Sequence, residues 1–167
     1  MIDYEEKGSW LYDVIHESGH SLVQMDGEWI ASDEIAVQAI IDTFDPLPHA
    51  REEALALVKE ASAEKRLQFV TQAAGKDAEY TFKAAEAAQY NVDAGVGVFM
   101  AARMLETGET ADEVATEWNL RSAGWKQIGA YLGALEDRAS RDMAAETDWQ
   151  QCRVIAKNII ERIEAIQ

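Results

Sequence analysis

The chain has 167 residues, enough for one domain or for one small and one medium unit with a real hydrophobic core. Its 31 acidic and 15 basic residues give a net charge of −16. Such a surface repels nucleic acid phosphates and anionic lipids, so neither nucleic acid nor a membrane is an expected partner. The single cysteine, Cys152, excludes an internal disulfide and a thiolate metal cluster.

Residues 1–45 are predicted to form a small α/β unit that docks on a partner. Ser9 is placed to cap a helix over residues 10–18. Gly19 follows the predicted end of that helix, where glycine commonly adopts the left-handed conformation.

Asp26-Gly27 predicts the turn of a β-hairpin, because this dipeptide favours the two-residue turns that join antiparallel strands. The flanking strands are predicted over residues 21–25 and 28–31. Ser32 is then expected to cap the next helix. The predicted register pairs Val23 with Ile30 and Gln24 with Trp29.

The segment Asp45-Pro46-Leu47-Pro48 predicts a boundary, since it holds both prolines of the chain. The residue before a proline disfavours the α conformation. We therefore expect a proline linker over residues 46–48, between the 1–45 unit and an all-helical domain over residues 49–167.

The remainder of the chain has the composition and periodicity of helices only. Asp77 is expected to cap one of them, and Thr110 with Glu113 forms a capping box at the start of another. The fold class is thus predicted as mainly α, a helical C-terminal bundle preceded by a small α/β unit with one β-hairpin. The predicted helices cover residues 49–74, 77–91, 96–106, 110–120, 122–145 and the segment from 147 onward.

The string His16-Glu17-Ser18-Gly19-His20 is the one place where the sequence suggests a specific chemistry. It fits the H-E-x-x-H pattern, in which two histidines one helical turn apart bind zinc and the glutamate is the general base. This pattern predicts a small zinc-dependent hydrolase with His16 and His20 as metal ligands and Glu17 as the catalytic residue.

Two features of the same region favour a different interpretation. The zinc pattern needs both histidines on one continuous helix, whereas Gly19 and the following hairpin place His20 at or past the helix end. A zinc site also needs a third protein ligand, and the only other histidine, His49, follows the proline linker. We therefore predict no catalytic residue, no metal site and no cofactor, with the zinc hydrolase kept as the alternative.

The five tryptophans are expected to serve mainly as core anchors or as seams between helices. Tryptophan is also frequent at the energetic centre of protein interfaces. Trp29 and Trp149 are the candidates for such a partner-binding surface. Cys152 falls on an apolar helix face and is expected to be a small buried hydrophobe.

One segment of the sequence resembles a known pattern. Gly75-Lys76-Asp77-Ala78-Glu79-Tyr80, followed by Lys83 and Glu86-Ala87, is similar to the stretch G-x-x-x-x-Y-x-x-K-x-x-E-A of a loosely defined family of bacteriophage tail-region proteins. The run from Asp26 through Asp42 also resembles the small N-terminal unit of such proteins. The proline that usually precedes the glycine is replaced by Ala74, and the pattern carries no catalytic residue.

This resemblance implies a non-enzymatic accessory protein of a phage tail or tail fibre. It would bind other tail or tail-fibre proteins, form an oligomer, and occur in the virion tail or in the host cytoplasm during assembly rather than leave through a signal peptide. The resemblance leaves open whether it is a built-in virion part or a transient assembly chaperone. A helical adaptor unrelated to phage is the further alternative.

Overall fold

The computed structural model describes residues 2–69 and 76–167, apart from the side chains of Lys76 and Asp77. These residues form seven helices and one antiparallel hairpin near the N-terminus, so the predicted mainly α fold class is confirmed. No helix in these two segments is both long and apolar enough to cross a membrane. The elements are α1 (Trp10–Glu17), β1 (Leu22–Met25), β2 (Glu28–Ala31), α2 (Glu34–Thr43), α3 (Leu47–Phe69), α4 (Lys76–Asp93), α5 (Val98–Thr107), α6 (Ala111–Ala145) and α7 (Trp149–Glu164).

The chain divides into two compact units whose bounds differ from the sequence-based division at residues 46–48. The first unit comprises Met1–Leu57 with Ala139–Asn158, and the second comprises Val58–Arg138 with Ile159–Gln167. Helices α3, α6 and α7 therefore each contribute residues to both units. Residues 139–158 join the first unit through nonlocal contacts, which local sequence patterns do not reveal.

The core of the first unit is a cluster of six buried apolar side chains, from the N-terminal segment, α1, β1 and α2: Ile2, Leu11, Ile15, Leu22, Val37 and Ile41. Gln38 of α2 holds the N-terminal segment by accepting from the Asp3 N–H at 2.8 Å and donating to the Asp3 carbonyl at 3.1 Å. Lys7 donates to the carbonyls of Ile41 and Phe44 at 2.7 and 3.0 Å, so its ammonium group stabilises the C-terminal end of α2.

The hairpin has the predicted turn and the predicted register. Asp26 and Gly27 have φ angles of 52° and 85°, the two left-handed values that a type I′ turn requires. Leu22 lies in the buried cluster, and Trp29 and Ala31 pack against it, so one face of the hairpin covers the core. The observed pairs are Leu22 with Ala31, Val23 with Ile30, Gln24 with Trp29, and Met25 with Glu28.

Two predicted caps differ from the structure. The N-cap of α2 is Asp33 rather than Ser32, and its carboxylate accepts two backbone N–H groups of the first turn at 3.1 and 3.0 Å. The Ser32 hydroxyl instead accepts from the Ser21 N–H at 3.0 Å, at the open end of the hairpin. Ser9 occupies the N-cap position of α1 but forms no side-chain capping bond.

The separate helices predicted over residues 110–120 and 122–145 are wrong, because α6 runs unbroken from Ala111 to Ala145. Ser122 and Gly124 lower helix propensity without stopping a helix, and no proline lies nearby. The capping box at its start is confirmed: the Thr110 N–H donates to Glu113 at 2.8 Å, and the Glu113 N–H donates to the Thr110 hydroxyl at 3.3 Å.

Helix α3 begins at Leu47, so Pro48 lies in its first turn, which is the place where a helix tolerates proline. The predicted end of this helix at residue 74 lies outside the described residues, and so does the predicted capping side chain of Asp77. In the second unit, α4, α5 and α6 share a buried cluster of Ala87, Met100, Val114, Ala115 and Trp118.

We predict opposite effects for two Gly→Ala substitutions at open sites. Gly19 has a φ of 81°, so Gly19→Ala forces a side chain into the left-handed conformation and should lower the free energy of unfolding by about 1 kcal/mol. Gly124 lies on the exposed surface of α6, and Gly124→Ala should raise the free energy of unfolding by up to about 1 kcal/mol, because alanine favours a helix more than glycine does. Urea unfolding measures both. Equal effects of the same sign would contradict the helix end at Gly19.

Candidate functional site

The histidine string spans the end of a helix rather than lying within one. Helix α1 ends at Glu17, and the Gly19 N–H donates to the His16 carbonyl at 2.9 Å. The His20 N–H donates to the Ile15 carbonyl at 3.0 Å. These two bonds and the left-handed glycine form a Schellman motif, so the predicted helix end is confirmed. His16 is in the helix and His20 is beyond it, which is not the arrangement that the zinc pattern requires.

The side chains around this string have other surroundings. His16 and Glu17 are exposed, and His20 is half-buried. His49 lies in α3, where its ring stacks on Trp10 and Phe44 with centroid separations of 6.2 and 5.3 Å. Over residues 2–69 and 76–167, no group of three histidine, cysteine, aspartate or glutamate side chains is placed to hold a metal ion.

Trp29 lies on the core-facing side of the hairpin. Its ring stacks on Tyr4 with centroids 4.1 Å apart and contacts Tyr12 at 6.3 Å. Tyr12 donates a hydrogen bond to the Tyr4 hydroxyl at 3.0 Å, and burial is the main reason that the pKa of Tyr4 is raised. Trp29 is half-buried in this aromatic group, so its binding to a partner stays a prediction.

Trp149 packs within the first unit as well. Its ring forms a T-shaped pair with Trp10, with centroids 5.9 Å apart. The guanidinium of Arg153 lies 5.7 Å from the Trp10 centroid and also donates to Glu53 at 3.2 Å. These contacts attach the start of α7 to α1 and α3. Trp149 is half-buried there, and a partner-binding role for it likewise stays a prediction.

Cys152 is a buried free thiol, as the sequence predicts. Burial raises its pKa above the ordinary range, which keeps the sulfur in the thiol form. A nucleophilic cysteine needs the thiolate form and access to solvent. The surroundings of Cys152 are therefore those of a packing residue.

The segment that resembles phage tail-region proteins contributes to the internal packing of the second unit. Gly75 lies outside the described residues. Lys83 forms an ion pair with Glu79 and lies 5.5 Å from the centroid of the Trp118 ring. Ala87 is fully buried, and its carbonyl accepts from the Asn119 side chain at 3.2 Å. These positions of the pattern therefore connect α4 to α6.

Glu86, another position of that pattern, caps a neighbouring helix. Its carboxylate accepts from the N–H groups of Phe99 and Met100 at 3.1 and 2.9 Å, in the first turn of α5. A carboxylate there also interacts favourably with the helix dipole. The N-cap of α5 is Gly97, which has no side chain to do this, and a Cβ atom at that position would overlap with Glu86.

A network of charged groups joins α5 to α6. Arg103 donates to both carboxylate oxygens of Glu109 at 2.7 and 2.9 Å, and it also pairs with Glu117. The hydrogen bonds from Arg103 and Thr107 lower the pKa of Glu109 to about 2. These charged side chains are thus engaged in contacts within the second unit.

The sequence analysis missed one surface feature. Alternate residues of the hairpin point away from the core, and we call the exposed apolar set Val23, Met25 and Ile30 the outer hairpin face. The predicted register pairs Val23 with Ile30, but periodicity alone does not tell which side of a hairpin covers the core. The signal present in the sequence is that side chains alternate between the two sides of each strand. This alternation puts Val23, Met25 and Ile30 on one side and Leu22, Gln24 and Trp29 on the other.

The sequence segment that contains this face is rich in carboxylates. No lysine or arginine occurs between Gly8 and Ala50, although the same segment holds eight acidic residues. All eight are exposed. They are Asp13, Glu17, Asp26, Glu28, Asp33, Glu34, Asp42 and Asp45.

Three comparisons with known proteins complete this description. No protein-family model, no curated protein and no solved structure matches the chain significantly.

A double-mutant cycle tests the cap on α5. Glu86→Ala should lower the free energy of unfolding by about 1 kcal/mol, because two N–H groups lose their charged acceptor. Gly97→Ala should have a similar effect in the wild type, since its Cβ atom displaces the Glu86 carboxylate. In the Glu86→Ala background, Gly97→Ala should cost only a few tenths of a kcal/mol.

Urea unfolding of the four proteins gives the coupling energy. Glu106→Ala is the matched control, because Glu106 is an exposed glutamate of α5 far from its first turn. Additive effects of Glu86→Ala and Gly97→Ala would show that the carboxylate does not cap the helix.

Proposed function

We propose that this chain is a non-enzymatic accessory protein of a phage tail or tail fibre that acts by binding other proteins. The resemblance of residues 75–87 to phage tail-region proteins supports the phage assignment. The observation that carries the contact function is the segment from Gly8 to Ala50, with eight exposed carboxylates and no lysine or arginine.

A segment of one charge sign favours encounters with a partner of the opposite sign. The field of clustered carboxylates accelerates association with a basic protein and disfavours acidic competitors. The same field makes this part of one copy repel the same part of another. Self-association of the chain, which the resemblance implies, would then involve the second unit.

The internal roles of Lys83, Glu86 and Ala87 support a scaffold function for the pattern that they belong to. Each of these residues contacts another helix of the second unit. A pattern that maintains helix packing fits a family whose members act through their surfaces. Both a virion component and an assembly chaperone agree with this description.

Mass spectrometry of the phage that encodes the chain tests this proposal. We expect the protein in gradient-purified virions or in tail intermediates isolated from infected cells, together with tail or tail-fibre proteins. Presence in finished virions indicates a structural part, and presence only in intermediates indicates a chaperone. Its absence from both fractions would contradict the phage tail function.

Charge variants show whether the acidic segment makes the contact. Changing Glu17, Glu28 and Glu34 to glutamine should reduce the tail protein that co-purifies several-fold, since it weakens attraction to a basic partner. The matched control changes three exposed glutamates of the second unit, Glu60, Glu64 and Glu106, and alters the net charge by the same amount. Equal losses in both triple variants would show that only the overall charge matters.

A further inference from the structure

We propose that the outer hairpin face is a docking surface for a basic, amphipathic segment of a partner protein. This inference rests on the proposed contact function and deepens it, because it names the surface and the chemistry of the partner.

The register places three apolar side chains together on one side of the hairpin. Val23 and Ile30 are directly paired, and Met25 lies two residues from Val23 on the same strand, so all three share a face. Their exposed fractions are 48%, 48% and 57%. The opposite face packs on the buried cluster of the first unit through Leu22 and Trp29.

A solvated outer face of a hairpin normally carries polar side chains, since only the inner face has a core to cover. Here the outer face instead carries the paired β-branched residues Val23 and Ile30, with Met25 next to Val23 on the same side of the strand. A strand pair with apolar residues on both faces gains from a second partner on the exposed side. Methionine is adaptable in shape and is common at binding surfaces that accept varied side chains.

The charge around the outer hairpin face selects the partner. Glu28 is paired with Met25 and so shares its face, and Asp26 lies in the turn beside them. Asp33 and Glu34 follow the second strand closely in sequence, and no lysine or arginine occurs from Gly8 to Ala50. A partner that covers the apolar centre must meet these carboxylates, so lysine or arginine side chains beside its apolar residues are complementary.

The same charges argue against a second copy of this chain as the occupant. A symmetric contact through the outer hairpin face would place Asp26 and Glu28 of one copy near the same carboxylates of another. The segment from Gly8 to Ala50 holds no lysine or arginine to pair with them. The favoured occupant is therefore a different protein.

A short labelled peptide of alternating leucine and lysine is the probe. As an extended strand it presents leucines on one side and lysines on the other, and the long lysine side chains can bend round the edge of the peptide towards the carboxylates at the rim. A peptide of alternating serine and lysine and one of alternating leucine and glutamate are the controls. Fluorescence anisotropy with the 167-residue chain measures binding, and amide chemical shifts show where the peptide lies.

We expect the leucine–lysine peptide to bind more tightly than both controls and to shift the amides of residues 22–31. Val23→Thr with Ile30→Thr should weaken binding on the order of tenfold, since it removes apolar contact and keeps residues that favour strands. Val154→Thr in α7 is the matched control, because Val154 also has an exposed fraction of 48%. That variant should bind like the wild type.

Several results would overturn the inference. These are equal binding of the serine–lysine peptide, equal affinity of the double variant, amide shifts confined to other helices, and self-association that depends on Val23 and Ile30. A failure here is distinct from a failure of the proposed function. If the chain occurs with tail proteins while the peptide ignores the outer hairpin face, the function stands and this surface is not its docking site.

Discussion

The left-handed backbone at Gly19 is the constraint on which the first unit depends. It lets two hydrogen bonds close the end of α1, from the Gly19 N–H to His16 and from the His20 N–H to Ile15. The chain then turns directly into β1. A side chain at this position would be strained, because the left-handed conformation is unfavourable for residues that carry a Cβ atom. The helix end thus separates the two histidines and at the same time sets where the hairpin begins.

The few cations of this acidic protein are placed mainly at the ends of helices and in ion pairs. Lys7 stabilises the C-terminal end of α2, and Arg51 donates to the carbonyls of Ala144 and Glu146 at the end of α6. Lys65 donates to the Glu164 carbonyl at the end of α7. Positive groups there complement the negative end of the helix dipole. Their engagement within the chain leaves a surface rich in carboxylates, which is the basis of the proposed contact with a basic partner.

Local chemistry explains the parts of the fold that could be predicted from the sequence. Asp26-Gly27 specifies the turn and register, Gly19 specifies the helix end, and Thr110 with Glu113 specifies the start of α6. Each of these signals involves residues within a few positions of one another. The helix break predicted near Ser122 was wrong because it relied on a weak local signal. Ser122 and Gly124 lower helix propensity without stopping a helix, and α6 continues through them.

Nonlocal contacts explain what could not be predicted. The ring pair of Trp10 and Trp149 joins residues that are far apart in sequence, and the Glu86 cap belongs to a helix that begins at Val98. Predicting the outer hairpin face requires both the strand register and the knowledge of which side of the hairpin covers the core. Periodicity identified the alternation, but only the packing of Leu22 and Trp29 reveals which residues remain exposed.

The most direct test of the central claim is the set of backbone ¹³Cα chemical shifts over residues 10–31, recorded before and after addition of equimolar zinc. We predict helical shifts through Glu17, a change at Gly19, strand shifts over residues 22–25 and 28–31, and no response to zinc. Helical shifts that continue through His20, with His16 and His20 responding together to zinc, would contradict this prediction and would favour a metal-binding hydrolase.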